Sequence, residues 1–156
     1  LIEKGHQKIG LSSMEKDNFI GHQRVSGYLA ALKDYNLQNN NDWVFEGDYS
    51  YESGISAMYH YQSKTNVTAI IGASDLAAIG IINTAKKLNI YVPHQLAVIS
   101  IDGTYLVNIV SPRLTSITQS FFKMGETALK MLFADEDNMS NYIYVPFKID
   151  ERESTL

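Results

Sequence analysis

The chain has 156 residues, 45% hydrophobic and 19% charged, with a formal net charge of −4. That length holds one domain with a sizeable core rather than two ordinary ones, and the balance is that of a globular protein. With no Cys, a disulfide framework and any thiolate zinc or redox site are excluded.

A protein that grips nucleic acid through its phosphates needs a basic face. The densest basic pair here is Lys86-Lys87, near a predicted helix end, where cations offset the helix dipole in any case. The chain alone is therefore not expected to bind DNA. No apolar run is long enough to cross a bilayer, and Leu1-Ile2-Glu3-Lys4-Gly5-His6 lacks the basic and long apolar segments of a signal peptide. It reads as the tail of a helix running into Gly5, a C-cap residue, so the chain is expected to start partway through a larger protein.

Strand and helix patterns alternate. Lys8 to Ser12 reads as a strand, then Gly21 to Tyr35 carries Val25, Tyr28, Leu29 and Leu32 at helical spacing. The polar cluster Asn39 to Asp42 is a turn, and Trp43-Val44-Phe45 a second strand. Ser50 to Gln62 is a helix with Ser50 as N-cap and Ile55, Met58 and Tyr59 on one face. Thr68 to Ile71 is apolar throughout, as a strand covered on both faces should be. Ser74-Asp75 caps a helix carrying Leu76, Ile79, Ile82 and Ala85. Leu96 to Ile101 is the fourth strand and Leu114 to Thr118 is extended. Phe121 to Phe133 is a helix with Phe121, Met124, Ala128, Met131 and Leu132 facing inward, and Tyr142 to Ile149 is the last strand. Right-handed βαβ repeats predict an α/β fold, a parallel sheet with helices on both faces. A ligand then sits beyond the carboxyl ends of the strands, at Ser12-Ser13, Glu46 to Tyr49, Gly72 to Asp75 and Asp102-Gly103.

Catalytic chemistry finds little support. His6, His22, His60 and His94 stand far apart with no HxxH or HExxH pair, so no metal site is expected. There is no GxSxG elbow, no GxxxxGK[ST] loop and no GxGxxG loop. Asp17, Asp48, Asp75 and Asp102 lie near strand ends and could supply an acid/base pair, but a helix cap suits Asp75 and a turn suits Asp48 better. No catalytic residue and no cofactor is expected.

Several segments in order carry a further signal. Gly5-His6-Gln7-Lys8-Ile9 has the form GHxxI, and Arg24-Val25-Ser26-Gly27-Tyr28 with Ala31-Leu32 the form RxxGYxxAL. Gly47-Asp48-Tyr49-Ser50 is followed by Gly54; Thr68-Ala69-Ile70 is followed by Ser74-Asp75-Leu76-Ala77-Ala78-Ile79-Gly80. Val92-Pro93 leads through Leu96-Ala97-Val98-Ile99 to Asp102; Pro112-Arg113-Leu114-Thr115-Ser116-Ile117, Met124-Gly125 and Glu151-Arg152-Glu153-Ser154-Thr155 close the series. Together these resemble the LacI/GalR regulators, whose sensing core is similar to the periplasmic binding proteins of type I. The likeness covers nearly the whole chain.

The resemblance implies an effector-binding domain of two subdomains with a cleft between them, most of this chain being the C-terminal one. Residues 1–119 and about 143–150 would belong to it, and about 120–142 to the N-terminal subdomain. The DNA-binding helix-turn-helix headpiece would lie outside this chain. The function implied is sensing of a small-molecule effector, a sugar or sugar derivative, by a cytoplasmic repressor that is not an enzyme. A periplasmic sugar-binding protein of a transporter is the alternative, and a small sugar-phosphate isomerase a third reading.

By resemblance, Arg24 grips effector oxygens with its planar fork, and Asp102 accepts sugar hydroxyls. Tyr49 packs its ring on the sugar C–H face. Ser74 stands where the family has Asn, so its reach is shorter, and Gly103 replaces a frequent second Asp. Asp17 and Ser13 are further lining residues. The plain alternatives are an exposed helix arginine, an internal Arg24–Asp102 ion pair, local packing of Tyr49 and an N-cap at Ser74. A homodimer is also implied, through the helices around Ser53–Gln62 and Ser74–Leu88 and the apolar loop Leu106 to Val110, with Met58, Ile79, Ile82, Ile109 and Val110 at the interface.

Overall fold

The computed structural model describes residues 1–14, 18–133 and 142–156. In chain order the elements are β1 (Ile9–Met14), α1 (Phe19–Asp34), β2 (Val44–Gly47), α2 (Tyr51–Lys64), β3 (Ala69–Ile71), α3 (Asp75–Lys87), β4 (Ala97–Asp102), β5 (Thr115–Gln119), α4 (Phe121–Leu132) and β6 (Phe147–Asp150). They form one six-stranded sheet in the order β2-β1-β3-β4-β5-β6. β1 to β5 are parallel, and β6 runs antiparallel to β5 with Ile117 opposite Ile149.

Alternation along the strands divides the core. Ile9, Leu11, Ala69 and Ala97 face Tyr28 and Leu32 of α1 on one side. Ile70 and Val98 face Met58 and Tyr61 of α2, and Ala78, Ile81 and Ile82 of α3, on the other. α2 and α3 approach closely because Gly54 and Gly80 meet there: a Cβ on Gly54 would collide with the Ala77 backbone, and one on Gly80 with that of Tyr51. The helices start where their caps are. Asn18, Ser50 and Ser74 each accept a hydrogen bond from a first-turn amide, of Gly21, Ser53 and Ala77 respectively.

The carboxyl-terminal ERxST segment is part of the sheet's underside. Ser154 Oγ donates to the Val98 carbonyl at 2.6 Å and accepts from the Thr115 amide at 2.9 Å. Arg113 meets Glu153 at 2.8 Å.

Several expectations need correction. Trp43 lies in a 3-10 turn (Asn41–Trp43) and β2 starts one residue later. β6 is shorter than Tyr142 to Ile149, beginning only after Pro146, which has no amide to give a ladder. The residues set to face inward on α4 do not: no residue of α4 is buried, and Leu132 is 72% exposed. The physical reason is that, among the described residues, no other element buries their face.

Candidate functional site

A recess of about 490 Å³ opens at the carboxyl ends of β4 and β5 and the amino end of α3. Arg24, Tyr49, Ser74, Asp102, Thr104 and Gln119 border it, drawn from α1, the β2–α2 turn, the α3 cap, β4 and its following turn, and β5. This is where a doubly wound sheet places ligands, because strand ends and helix amino termini converge there.

Arg24 leans across the sheet edge. Its Nη1 donates to the Ala73 carbonyl at 2.6 Å, and its guanidinium carbon lies 5.2 Å from the centre of the Tyr49 ring. That cation–π stacking fixes both groups while leaving donors of the fork free to meet a ligand. Tyr49 is held in turn by its own backbone: Ser74 Oγ donates to the Tyr49 carbonyl at 2.7 Å while accepting the Ala77 amide at 3.0 Å. Ser74 therefore caps α3 and seats the tyrosine turn at once. Asp48 shapes the same turn, accepting the Ser50 hydroxyl and, at 2.7 Å, the Ser50 amide, and these bonds hold its carboxyl below the usual aspartate range.

Asp102 ends β4 with φ 120, a backbone angle that costs a non-glycine residue roughly 1–3 kcal/mol. Such strain is found where a side chain must be aimed. Its Oδ1 accepts from Gln119 Nε2 at 2.9 Å. Burial and the neighbouring Asp75 carboxylate push its carboxyl up, against the pull of Arg24 and Gln119. Among the described residues no ion pair joins Arg24 to Asp102, so the site is not closed by an internal bridge.

Four of the residues named from the sequence, Arg24, Tyr49, Ser74 and Asp102, thus come together. Ser13 does not join them: it is fully buried in β1 and its hydroxyl turns to the Gly21 carbonyl at 3.5 Å. Asp17 lies outside the described residues. Gln119 and Thr104 were missed, although the rule that found Asp102, a polar residue at a strand's carboxyl end, applies equally to Gln119. Of the interface residues, Met58 and Ile82 sit in the core at 3% and 2% exposure and have no surface to offer a partner. Val110 packs partly against that core, Ile79 is half-buried, and Ile109 stands out at 69% exposure. Among the described residues no group of three or more His, Asp or Glu is placed to hold a metal ion, and no helix is long and apolar enough to cross a membrane.

A second recess of about 300 Å³ lies on the α1 face, lined by Leu1, Ile2, Tyr28, Leu32, Ile99 and Ile117 among others. It is nearly all apolar and gathers no convergent polar groups, so it is the weaker place for a polar ligand.

Comparison with known proteins bears on the same geometry. The family profile described as periplasmic binding protein-like domain matches residues 1–155. Catabolite control protein A of Priestia megaterium is 33% identical over 160 aligned positions, covering 99% of this chain and 48% of that protein. The crystal structure of a transcription regulator from Lactobacillus plantarum superposes with a TM-score of 0.92 at 41% identity, over 99% of this chain and 61% of that one. A complex of the transcriptional regulator CelR with cellobiose gives 0.85 at 27% identity, over 99% of this chain and 48% of that one. The chain spans about half the length of the curated relatives it matches. It belongs to the periplasmic binding protein-like domain family, and the proteins it matches include transcription regulators of the LacI family.

Proposed function

We propose that this chain is the larger part of the effector-sensing domain of a LacI/GalR-type transcription regulator, and that the recess at Arg24, Tyr49 and Asp102 is one wall of the effector cleft. The observation that carries this is the convergence of a guanidinium, an aromatic face and a strained carboxylate, from three separate elements, at one sheet edge. A planar fork and an acceptor flanking a ring suit a polyhydroxylated ligand, a sugar or sugar derivative. CelR binds cellobiose, and its likeness to this chain supports the same class. The opposite wall belongs to an N-terminal subdomain, to which the segment about 120–142, of which 134–141 lie outside the described residues, is assigned, and operator binding belongs to a headpiece outside this chain. The protein works in the cytoplasm and performs no catalysis. The regulators and repressors among its relatives favour this over a transporter's binding protein.

The test is calorimetric titration of the longer protein with disaccharides, starting with cellobiose. Losing one charge-assisted partner costs roughly 1.5–3 kcal/mol, about ten- to more than a hundredfold in affinity. Arg24→Ala and Asp102→Ala should each show that loss while still unfolding cooperatively as folded proteins, and Tyr49→Ala a smaller one. Unaltered affinity in both of the first two variants places the site elsewhere. The same reading pairs two copies through the surface around Ile109 and Ile79, with Ile109→Asp shifting sedimentation toward the monomer; a parent chain already monomeric at high micromolar concentration overturns the pairing.

A further inference from the structure

The ligand reading leaves one buried group unused. Asp75, the first residue of α3, is 2% exposed and accepts hydrogen bonds from three directions. Its Oδ1 takes Ser100 Oγ of β4 at 2.5 Å, Ser116 Oγ of β5 at 3.1 Å and the Gly103 amide at 3.4 Å. Its Oδ2 takes the Thr104 amide at 2.6 Å and Thr104 Oγ1 at 2.8 Å. A helix start needs none of these bonds. They tie two strands to the turn that follows Asp102.

That turn needs holding. Asp102 and Gly103 follow each other at φ 120 and φ 72. A Cβ on Gly103 would collide with Thr118, so the chain there is pressed against β5. An L residue at φ 120 relaxes unless its neighbours prevent it. Upstream, the β4–β5 ladder pins Asp102 opposite Thr118. Downstream, the restraint is Asp75, through the next two amides.

We propose that Asp75 is the positioning residue of the recess: by clamping Gly103 and Thr104 it keeps the strained Asp102 in place with its carboxylate at the recess edge. The proposal rests on Asp102 being a ligand group, and it gives Asp75, which borders the same recess but is nearly all buried, a role exerted through the turn. The electrostatics at Asp102 agree with that proximity: burial first and the Asp75 charge second push its carboxyl up, while Arg24 from α1 and Gln119 from β5 pull it down.

The experiment uses the isotope-labelled chain and reads backbone amide exchange and the Asp102 carboxyl-carbon titration by NMR. Asn at position 75 keeps the size but offers one oxygen, while the Gly103 and Thr104 amides face different oxygens. In Asp75→Asn one of those two amides should exchange about tenfold faster or more, the cost of a lost buried acceptor. The β1 and β3 amides should stay as they were, and the Asp102 titration should move down. Thr104→Val removes only the hydroxyl bond from a partly exposed residue and leaves the Asp75 side chain in place. It should quicken the Thr104 amide, which shares Oδ2 with that hydroxyl, by a smaller factor and shift the Asp102 resonance. Should Asp75→Asn not fold, Thr104→Val decides alone. Turn amides and an Asp102 resonance identical to the parent's in the folded variants overturn the proposal. Neither readout involves a sugar, so a failed effector reading, seen as Asp102→Ala with unchanged sugar affinity, is told apart from a failed clamp.

Discussion

Helices α3 and α4 are both rich in apolar residues, yet they end in opposite circumstances. α3 buries Ala77, Ala78, Ile81, Ile82 and Ala85 between α2 and the sheet, while α4 buries nothing. α3 carries small residues where α2 crosses it, and Gly54 and Gly80 let the two backbones close up. α4 instead presents Phe121, Met124, Leu129 and Leu132 to open space, with a polar face ordered by Glu126 between Lys123 and Lys130. Exposed apolar residues also cluster along the nearby return, at Tyr142, Ile143, Tyr144, Phe147 and Ile149. Apolar periodicity specifies that a helix has a face to cover; it does not specify what covers it. In the proposed reading the cover is the rest of the N-terminal subdomain.

The sharpest way to break this contrast is truncation in each helix. Ile81→Ala, deep between α2 and the sheet, should destabilise the chain by roughly 2–5 kcal/mol, read from the urea midpoint. A loss under about 1 kcal/mol would mean the α2–α3 face is not the core described here.

The recess gives a subtler effect, with a sign that can be worked out. Asp102's carboxyl is raised above its ordinary value of 3.8 in the folded chain. Just above that value the native state then holds more protons than the unfolded chain, so this group makes stability fall as pH rises through the window. Asp102→Asn removes that contribution. The variant should gain stability relative to the parent on going from pH 4 to pH 7, measured by urea unfolding at both. The lowered carboxyls of Asp48, Asp150 and Glu153 act with the opposite sign but are common to both proteins, so they cancel in the difference. A parallel pH dependence in the two proteins would contradict the burial of Asp102.

The smallest effect belongs to α4. Leu132→Ala should change stability by less than about 0.5 kcal/mol, because the side chain is already in solvent. If it costs as much as Ile81→Ala, the α4 face is covered in solution, by a second copy or otherwise. Repeating the measurement at several protein concentrations would show which.

Much of this protein was legible from local pattern. Alternating strand and helix periods, with caps at Ser50 and Ser74, led to the parallel sheet and the positions of α1 to α3, because a doubly covered strand must be apolar and a helix must satisfy its first amides. Ordered motifs led to the family, and the rule for strand ends led to Asp102. What the tertiary structure alone decided concerns partners across space. It turned Met58 and Ile82 into the core and left Ile109 outside, since helical spacing does not say which neighbour a face meets. It buried Ser13 against α1, with its hydroxyl toward the Gly21 carbonyl, since a strand end has two faces and its sequence does not say what packs on each. It set Arg24 over Tyr49, and it made Asp75, an ordinary first-turn residue by sequence, the knot joining β4, β5 and the turn after Asp102. Those bonds link residues far apart along the chain, and their geometry exists only once the sheet has brought the strands side by side.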